Sequence, residues 1–483
     1  MAILLIGVTT SGYENWLWFP VVLVLCILLM WMYRKKKIPH TQLHLGKKII
    51  VPIILLVLMQ ILCAILLRSD HSYGWDYDII LMLSRQYVQT GTMQDATYLA
   101  VYPNNALYFW LVTGIFKMTY LFTGTCSETV LLLFNVLALD ISIWGAYQLT
   151  ILLLNNKVAA VFMAIAIFFL PYWIYLPIAY TDIFAMPFFV FPLLMFARYM
   201  KSETSNKIYL IGAALLGAIG YFFKGTPVIV IIAVAITIIM MNLPLHKKIW
   251  SEIILVGIFL ITFFLVNMMI PKLTMTTEEQ RAENKTPIEY WLYTGLKNDG
   301  GWGPGSWNEH VVAELSQYAD YDEKKIAARQ KIAAQMKEYG CTGLVKHIYQ
   351  KETEVVWGKG DLNGIAYLTR APRFNKAVQL LADEHRVTGK FVKLYADGYW
   401  KVLILLAVIA LFTKAKSRYT GDASCVLPIT AFGVFLFYIL WESNARYLVC
   451  NVFLILILAS EGMIKLKDIA VNKISLKNNK EKV

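Results

Sequence analysis

The residues of this 483-residue chain best suited to chemistry are a few charged side chains set against long apolar stretches. Residues 68–105 form the first long polar stretch, acidic and aromatic, with Asp70, Asp76, Asp78, Arg68, Arg85, Tyr73, Trp75, Tyr77 and Tyr102 close together. Asp76-Tyr77-Asp78 opens a run whose apolar residues recur at helical intervals, so either carboxylate can serve as a helix cap favoured by the helix dipole or as a general base. The same triplet matches the DxD pattern that holds a metal in many sugar transferases, which leaves a divalent cation open as an assistant. Tyr102-Pro103-Asn104-Asn105 suits a helix entry, and Tyr102 and Asn104 are also candidate substrate contacts.

Asp182 lies in AYTDIFAMPF, between two apolar segments. A carboxylate at a helix centre in the membrane costs about 2.5–3.5 kcal/mol, so a capping role near the interface and a functional role both remain open. Lys224, in GYFFKGTPVIV, either snorkels to headgroups or offers a cation to a lipid phosphate. Arg446 is comparable, with a local ion pair to Glu442, four residues earlier, as its plain explanation. Asp140, inside an apolar helix, reads as a buried polar contact.

These side chains need a scaffold, and composition defines it. Hydrophobic residues make up 58% and charged residues 16%, and the mean hydropathy is +0.55. That fraction exceeds what a water-soluble core can hide, so the expected fold class is an all-α polytopic membrane protein of about 11–13 transmembrane helices. Twelve apolar spans are expected, at 16–33, 49–67, 106–122, 130–154, 158–178, 183–197, 208–222, 227–241, 253–270, 399–412, 426–441 and 447–463. The net charge of +13 arises from short Lys and Arg clusters between spans, among them 34–37, which mark the cytoplasmic side rather than nucleic-acid binding. The six cysteines show no CxxC or metal-ligand spacing, and the N-terminus lacks the pattern of a cleaved signal.

Setting the basic clusters inside puts residues 68–105, Asp182, Lys224 and 442–446 on the outer face. Lys224 and Arg446 then violate the positive-inside tendency, which favours a functional role for them. Three apolar segments between Asn105 and Asp182 conflict with this orientation, because an even number of crossings is needed. A half-penetrating or broken helix resolves it, and Pro171, Pro177, Pro187 and Pro192 point to the later part of the region. The expected organisation is a transmembrane module at 1–270 with its loop at 68–105, an extracytoplasmic, mainly helical block at 271–398, transmembrane helices at 399–465 and a basic cytoplasmic tail at 466–483. The block carries a turn-rich segment, LKNDGGWGPGSWNEH, at 296–310.

In order, an acid-bearing outer loop ending in YPNN, then YTD, then a glycine-rich helix leading to Lys224-Gly225-Thr226-Pro227, then WESNARYL resemble the bacterial multi-pass glycosyltransferases of the GT-C superfamily. The likeness is greatest to Gram-positive members of the family 39 type, distant relatives of protein O-mannosyltransferases and aminoarabinose transferases. It covers most of the chain and includes Lys351 and Trp357 of the outer block. The chain departs from the family pattern at Thr294-Gly295-Leu296, where Met-Gly-Leu is common, and at Gly225, where proline is usual.

The resemblance implies a GT-C-like fold, an active site on the outer membrane face, a polyprenyl-phosphate-linked sugar donor and transfer with inversion. It carries the catalytic base onto Asp76, with Asp78 second, and the second acid onto Asp182. Lys224 and Arg446, with Arg85 and Lys297, are candidates for the donor phosphate. Trp75, Trp302 and Trp307 are candidates for stacking on sugar faces, and Glu442 for substrate contact. An envelope glycan or polymer is the expected acceptor. A lipid-linked glycan ligase and a membrane transporter or flippase are the alternatives; a transporter is disfavoured because no internal repeat is visible.

Overall fold

Backbone amides and carbonyls inside a bilayer must be satisfied within their own segment, which leaves helices as the natural spanning element for a chain this apolar. The computed structural model describes residues 47–68, 74–93, 95–202, 206–318, 320–370, 375–383, 385–416 and 422–480. The expected span at 16–33, the basic cluster at 34–37, Asp70 and Tyr73 lie outside them. Among the described residues the regular elements are helices, and β-structure is limited to one isolated bridge between Gly301 and Gly303.

The membrane part runs α1 (Lys47–Leu67), α2 (Asp76–Thr90), α3 (Ala106–Thr123), α4 (Glu128–Leu153), α5 (Asn156–Ile167), α6 (Pro187–Lys201), α7 (Ile208–Tyr221), α8 (Val228–Met240) and α9 (Leu245–Thr274). The block beyond it is built on α10 (Ile288–Leu296) and α11 (Tyr321–Gln350). The chain returns through α12 (Val387–Lys416), α13 (Val426–Leu440) and α14 (Phe453–Lys480). Among the described residues, six helices are long and apolar enough to cross a membrane, and four shorter apolar helices accompany them. These correspond to the expected spans from 49–67 through 426–441.

The segment at 106–122 is apolar and long enough to cross, and α3 is tied to other parts of the chain at both ends. Near its start, the Tyr108 hydroxyl donates to the Ala179 carbonyl and the Trp110 indole donates to the Leu273 carbonyl at the end of α9. Just past its other end, Glu128 pairs with Arg68 at 3.1 Å and with Arg85 of α2. Through Arg85 over the Phe116 ring, α3 packs against α2.

The segment at 158–178 stops being a regular helix at Ile167 and continues as a short helix, Leu170–Ile174, followed by turns. Pro171 and Pro177 lack the amide that a continuous helix needs. Asn135 of α4 donates its amide to the Tyr175 and Leu176 carbonyls, each at 3.0 Å, satisfying backbone that the break exposes. The broken chain leads directly into Thr181–Phe184, where Asp182 sits.

A buried cation helps to fasten the block at 271–398, the outer block of the expected organisation, to the membrane part. Lys351 is fully buried, and its Nζ donates to the carbonyls of Gly295 at 3.1 Å, Ile439 at 3.2 Å and Trp441 at 2.6 Å. Gly295 permits that approach, because a Cβ there would lie 2.7 Å from the Leu440 carbonyl oxygen. Backbone bonds lie beside it, Glu442 N to Trp291 O at 3.1 Å and Ser443 N to Gly305 O at 2.8 Å, and elsewhere on the seam the Tyr175 hydroxyl donates to the Leu362 carbonyl at 2.7 Å. Replacing Lys351 with Met is expected to strand buried carbonyls at about 1–3 kcal/mol for an unsatisfied group. The result should be a lower thermal midpoint in detergent and faster proteolysis of the outer block; an unchanged midpoint contradicts the clamp.

Candidate functional site

Three separate pieces of chain meet at one buried carboxylate. Asp182 is 1% exposed. Its Oδ1 accepts from Lys224 Nζ at 2.5 Å, and its Oδ2 lies 3.5 Å from Arg446 Nε. Lys224 follows the end of α7, where its amide bonds Gly220 O, and its Nζ stands 4.8 Å from the centre of the Tyr447 ring.

Arg446 is held by the short helix Ala445–Leu448 between α13 and α14. Asn444 caps this helix, accepting the Arg446 amide at 3.0 Å, and is itself oriented by Asn363 at 2.9 Å. The guanidinium lies among four rings, at 4.2 Å from Trp75, 4.6 Å from Tyr367 and 5.3 Å from both Tyr180 and Tyr447. Such an aromatic surround attracts a cation through the ring quadrupoles without consuming its N–H donors. Nε and Nη1 of Arg446 are in fact buried without a hydrogen-bond partner. A buried, charged group with free donors is costly for a structural role and suits an anion that arrives later.

The two acids that open α2 face different ways. Asp78 Oδ2 accepts the Trp75 amide at 3.3 Å and caps its own helix. Asp76 instead takes a hydrogen bond from the Tyr98 hydroxyl, with Arg446 and Arg370 in electrostatic range. Tyr98 is aligned for this by Asn105, whose amide donates to its oxygen at 2.8 Å. Burial raises the Asp76 carboxyl above its ordinary value, against the pull of Arg446, Tyr98 and Arg370.

Glu442, 4% exposed, accepts the Tyr447 hydroxyl at 2.9 Å. The expected local pair between Glu442 and Arg446 is therefore replaced: Arg446 turns to Asp182, because residues 445–448 form a tight 3₁₀ turn rather than the α-helix that would align positions four apart. Tyr102 lies near both Asp76 and Glu442, and its ring is 5.3 Å from Tyr98. Trp302 stacks on Tyr367 with centroids 5.3 Å apart, which extends the aromatic wall outward from Arg446.

Four expected site residues stand elsewhere. Arg85 is drawn away by Glu128 and lies over Phe116. Lys297 rests on the Tyr293 ring at 5.6 Å, within the outer block. Trp307 is 43% exposed in the glycine-rich loop. Asn104 is exposed, and its buried neighbour Asn105 makes the internal bond. Tyr98, Asn105, Tyr180, Asn363, Tyr367, Asn444 and Tyr447 belong to the site and were not singled out from sequence as site residues. Among the described residues, no group of three or more His, Cys, Asp or Glu gathers as a metal site.

Burial pushes the Glu442 carboxyl up to about 7; Tyr447 and Arg446 oppose the rise and Asp76 adds to it. The folded protein thus holds this proton more tightly than the unfolded chain does. Its contribution is fully present below the ordinary glutamate value and is lost as pH rises towards 7. Glu442→Gln should flatten the decline in thermal midpoint across about pH 4.5–7 relative to the parent. Identical pH slopes for the two proteins would count against the assignment.

Comparison with known proteins adds fold-level likenesses. Similar solved structures include the oligosaccharyltransferase AglB of Archaeoglobus fulgidus in complex with an inhibitory peptide and a dolichol-phosphate, at 11% identity and TM-score 0.41, covering 88% of this chain and 51% of that one. The apo form of the same enzyme gives 12% identity and TM-score 0.44, covering 88% and 52%. ArnT from Cupriavidus metallidurans bound to undecaprenyl phosphate gives 13% identity and TM-score 0.33, covering 87% and 78%. The chain spans about half the length of the oligosaccharyltransferase. At these scores the functional reading rests on the site's own geometry. No curated protein matches the chain in sequence. A family profile described as conserved hypothetical integral membrane protein matches residues 5–465, and the chain belongs to that family.

Proposed function

We propose that this integral membrane protein is a GT-C-type glycosyltransferase, moving a sugar from a polyprenyl-phosphate donor to a hydroxyl of an envelope glycan or polymer on the outer face, with inversion. The observation that carries the reading is the buried Arg446 guanidinium, whose Nη1 has no hydrogen-bond partner and whose Nε faces Asp182 at 3.5 Å, joined through Asp182 to Lys224 with Asp76 in electrostatic range. Glycosyl transfer needs two such elements. A carboxylate takes the proton of the attacking hydroxyl, and fixed cations stabilise the charge that develops on the leaving phosphate.

In this reading the acceptor oxygen attacks the anomeric carbon from the side of Asp76, which takes the proton. The bond from that carbon to the phosphate oxygen breaks on the opposite side. Its electron pair leaves with the lipid phosphate, which Arg446 and Lys224 receive. Asp182 keeps the two cations together when no phosphate is bound. The raised affinity of Asp76 for a proton suits a base better than an ordinary exposed aspartate would. Trp75, Tyr180 and Tyr367 supply the flat walls that a sugar ring stacks on.

Incubation with radiolabelled polyprenyl-phosphate sugar and a crude envelope acceptor should release label from the lipid. Asp76→Asn should lower the rate by about 10²–10⁴-fold while donor binding survives. Near-normal transfer by a folded Asp76→Asn protein would sink the base assignment. Lys224→Ala should weaken binding of a polyprenyl-phosphate analogue, and undiminished binding would remove the lysine from the phosphate site.

A further inference from the structure

One turn of the outer block, residues 361–364, touches both sides of the Asp182–Arg446 pair. It contains two consecutive left-handed residues, Leu362 at φ 51° and Asn363 at φ 62°. Asparagine adopts that conformation readily, whereas leucine keeps it only where the surroundings impose it. Both are buried, Leu362 completely. Within the turn, Asp361 accepts the Asn363 and Ile365 amides, each at 3.1 Å.

On one side the turn meets the broken segment that leads into Asp182. The Tyr175 hydroxyl donates to the Leu362 carbonyl at 2.7 Å, and a Cβ at Gly364 would lie 2.5 Å from Ile174 Cγ2. On the other side it meets the turn that carries Arg446. The Asn363 side-chain amide donates to Asn444 Oδ1 at 2.9 Å, and the same oxygen accepts the Arg446 amide at 3.0 Å. Asn444 uses its own amide on the Tyr367 hydroxyl at 3.2 Å, whose ring lies 4.6 Å from the guanidinium. Between these two sides, Arg446 Nε stays 3.5 Å from Asp182 Oδ2 and makes no hydrogen bond, although Lys224 closes to 2.5 Å on Oδ1. Opposite charges buried together attract across such a gap, so something must hold it open.

We propose that Asn363 is a positioning residue: the 361–364 turn braces the Arg446 turn against the segment before Asp182, and so keeps the guanidinium from closing on the carboxylate. Its donors then stay available to an incoming anion. The proposal rests on the transferase reading only for the identity of that anion, a lipid phosphate.

The test uses the full chain in nanodiscs and the variant Asn363→Gly. Glycine takes a positive φ freely, so the variant removes the amide without straining the backbone. It should keep the parent's thermal midpoint and bind undecaprenyl phosphate roughly 3–10-fold more weakly, the worth of one neutral hydrogen bond. In an Arg446→Gln background the same change should cost nothing further, because the two residues act as a unit. Without lipid phosphate, the Nε–H resonance of isotope-labelled Arg446, assigned by its absence in Arg446→Gln, should move downfield in Asn363→Gly as it closes on Asp182. An unmoved resonance, or an equal loss of affinity in both backgrounds, overturns the brace. Failure of the parent to bind undecaprenyl phosphate, with the resonance still moving, would sink the transferase reading and leave the brace standing. Tight lipid binding by the parent with an unmoved resonance would do the reverse.

Discussion

A carboxylate held out of water between two cations is the interaction on which the rest of this molecule turns. Asp182 is almost completely buried, and Lys224 and Arg446 approach its two oxygens from different helix ends. Desolvating three charges is expensive, and removing any one leaves the others uncompensated at a cost of about 3–5 kcal/mol. The surrounding architecture answers that demand. The broken segment before α6 brings Asp182 down to the cluster, the end of α7 brings Lys224, and the turn between α13 and α14 brings Arg446. Four aromatic rings around the guanidinium supply attraction where hydrogen bonds are missing.

The same logic explains why the outer block is not a loose appendage. Lys351 ties three backbone carbonyls across the seam, and glycine at 295 and 305 lets the chains approach closely. The clamp holds the block against the stretch 441–448, beside which Tyr367 meets the Arg446 guanidinium and Trp302 stacks on Tyr367. The charged centre and the roof above it are thus parts of one construction, linked through the short stretch 441–448.

Much of the charged centre was legible in sequence because charge stands out against an apolar background. Asp182, Lys224 and Arg446 fall on the outer face once the basic clusters are set inside, and the two cations break the usual asymmetry there. Other features could not be read. The spacing of Glu442 and Arg446 suggested a local pair that a 3₁₀ turn rules out. Arg85 looked like a site cation until Glu128, distant in sequence, was seen to claim it. With 28 tyrosines in the chain, nothing in the sequence distinguishes Tyr98, Tyr180 or Tyr367 from those that merely pack. Their roles come from long-range geometry.

The central claim is that the cluster built on Asp182 is a seat for a lipid phosphate. A cryo-EM structure of the full chain in nanodiscs containing undecaprenyl phosphate addresses it directly. The account predicts phosphate density within hydrogen-bonding distance of Arg446 Nη1 and Lys224 Nζ, with the polyprenyl chain leaving between helices. Phosphate density elsewhere on the protein, with Arg446 Nη1 still without a hydrogen-bond partner, would contradict it.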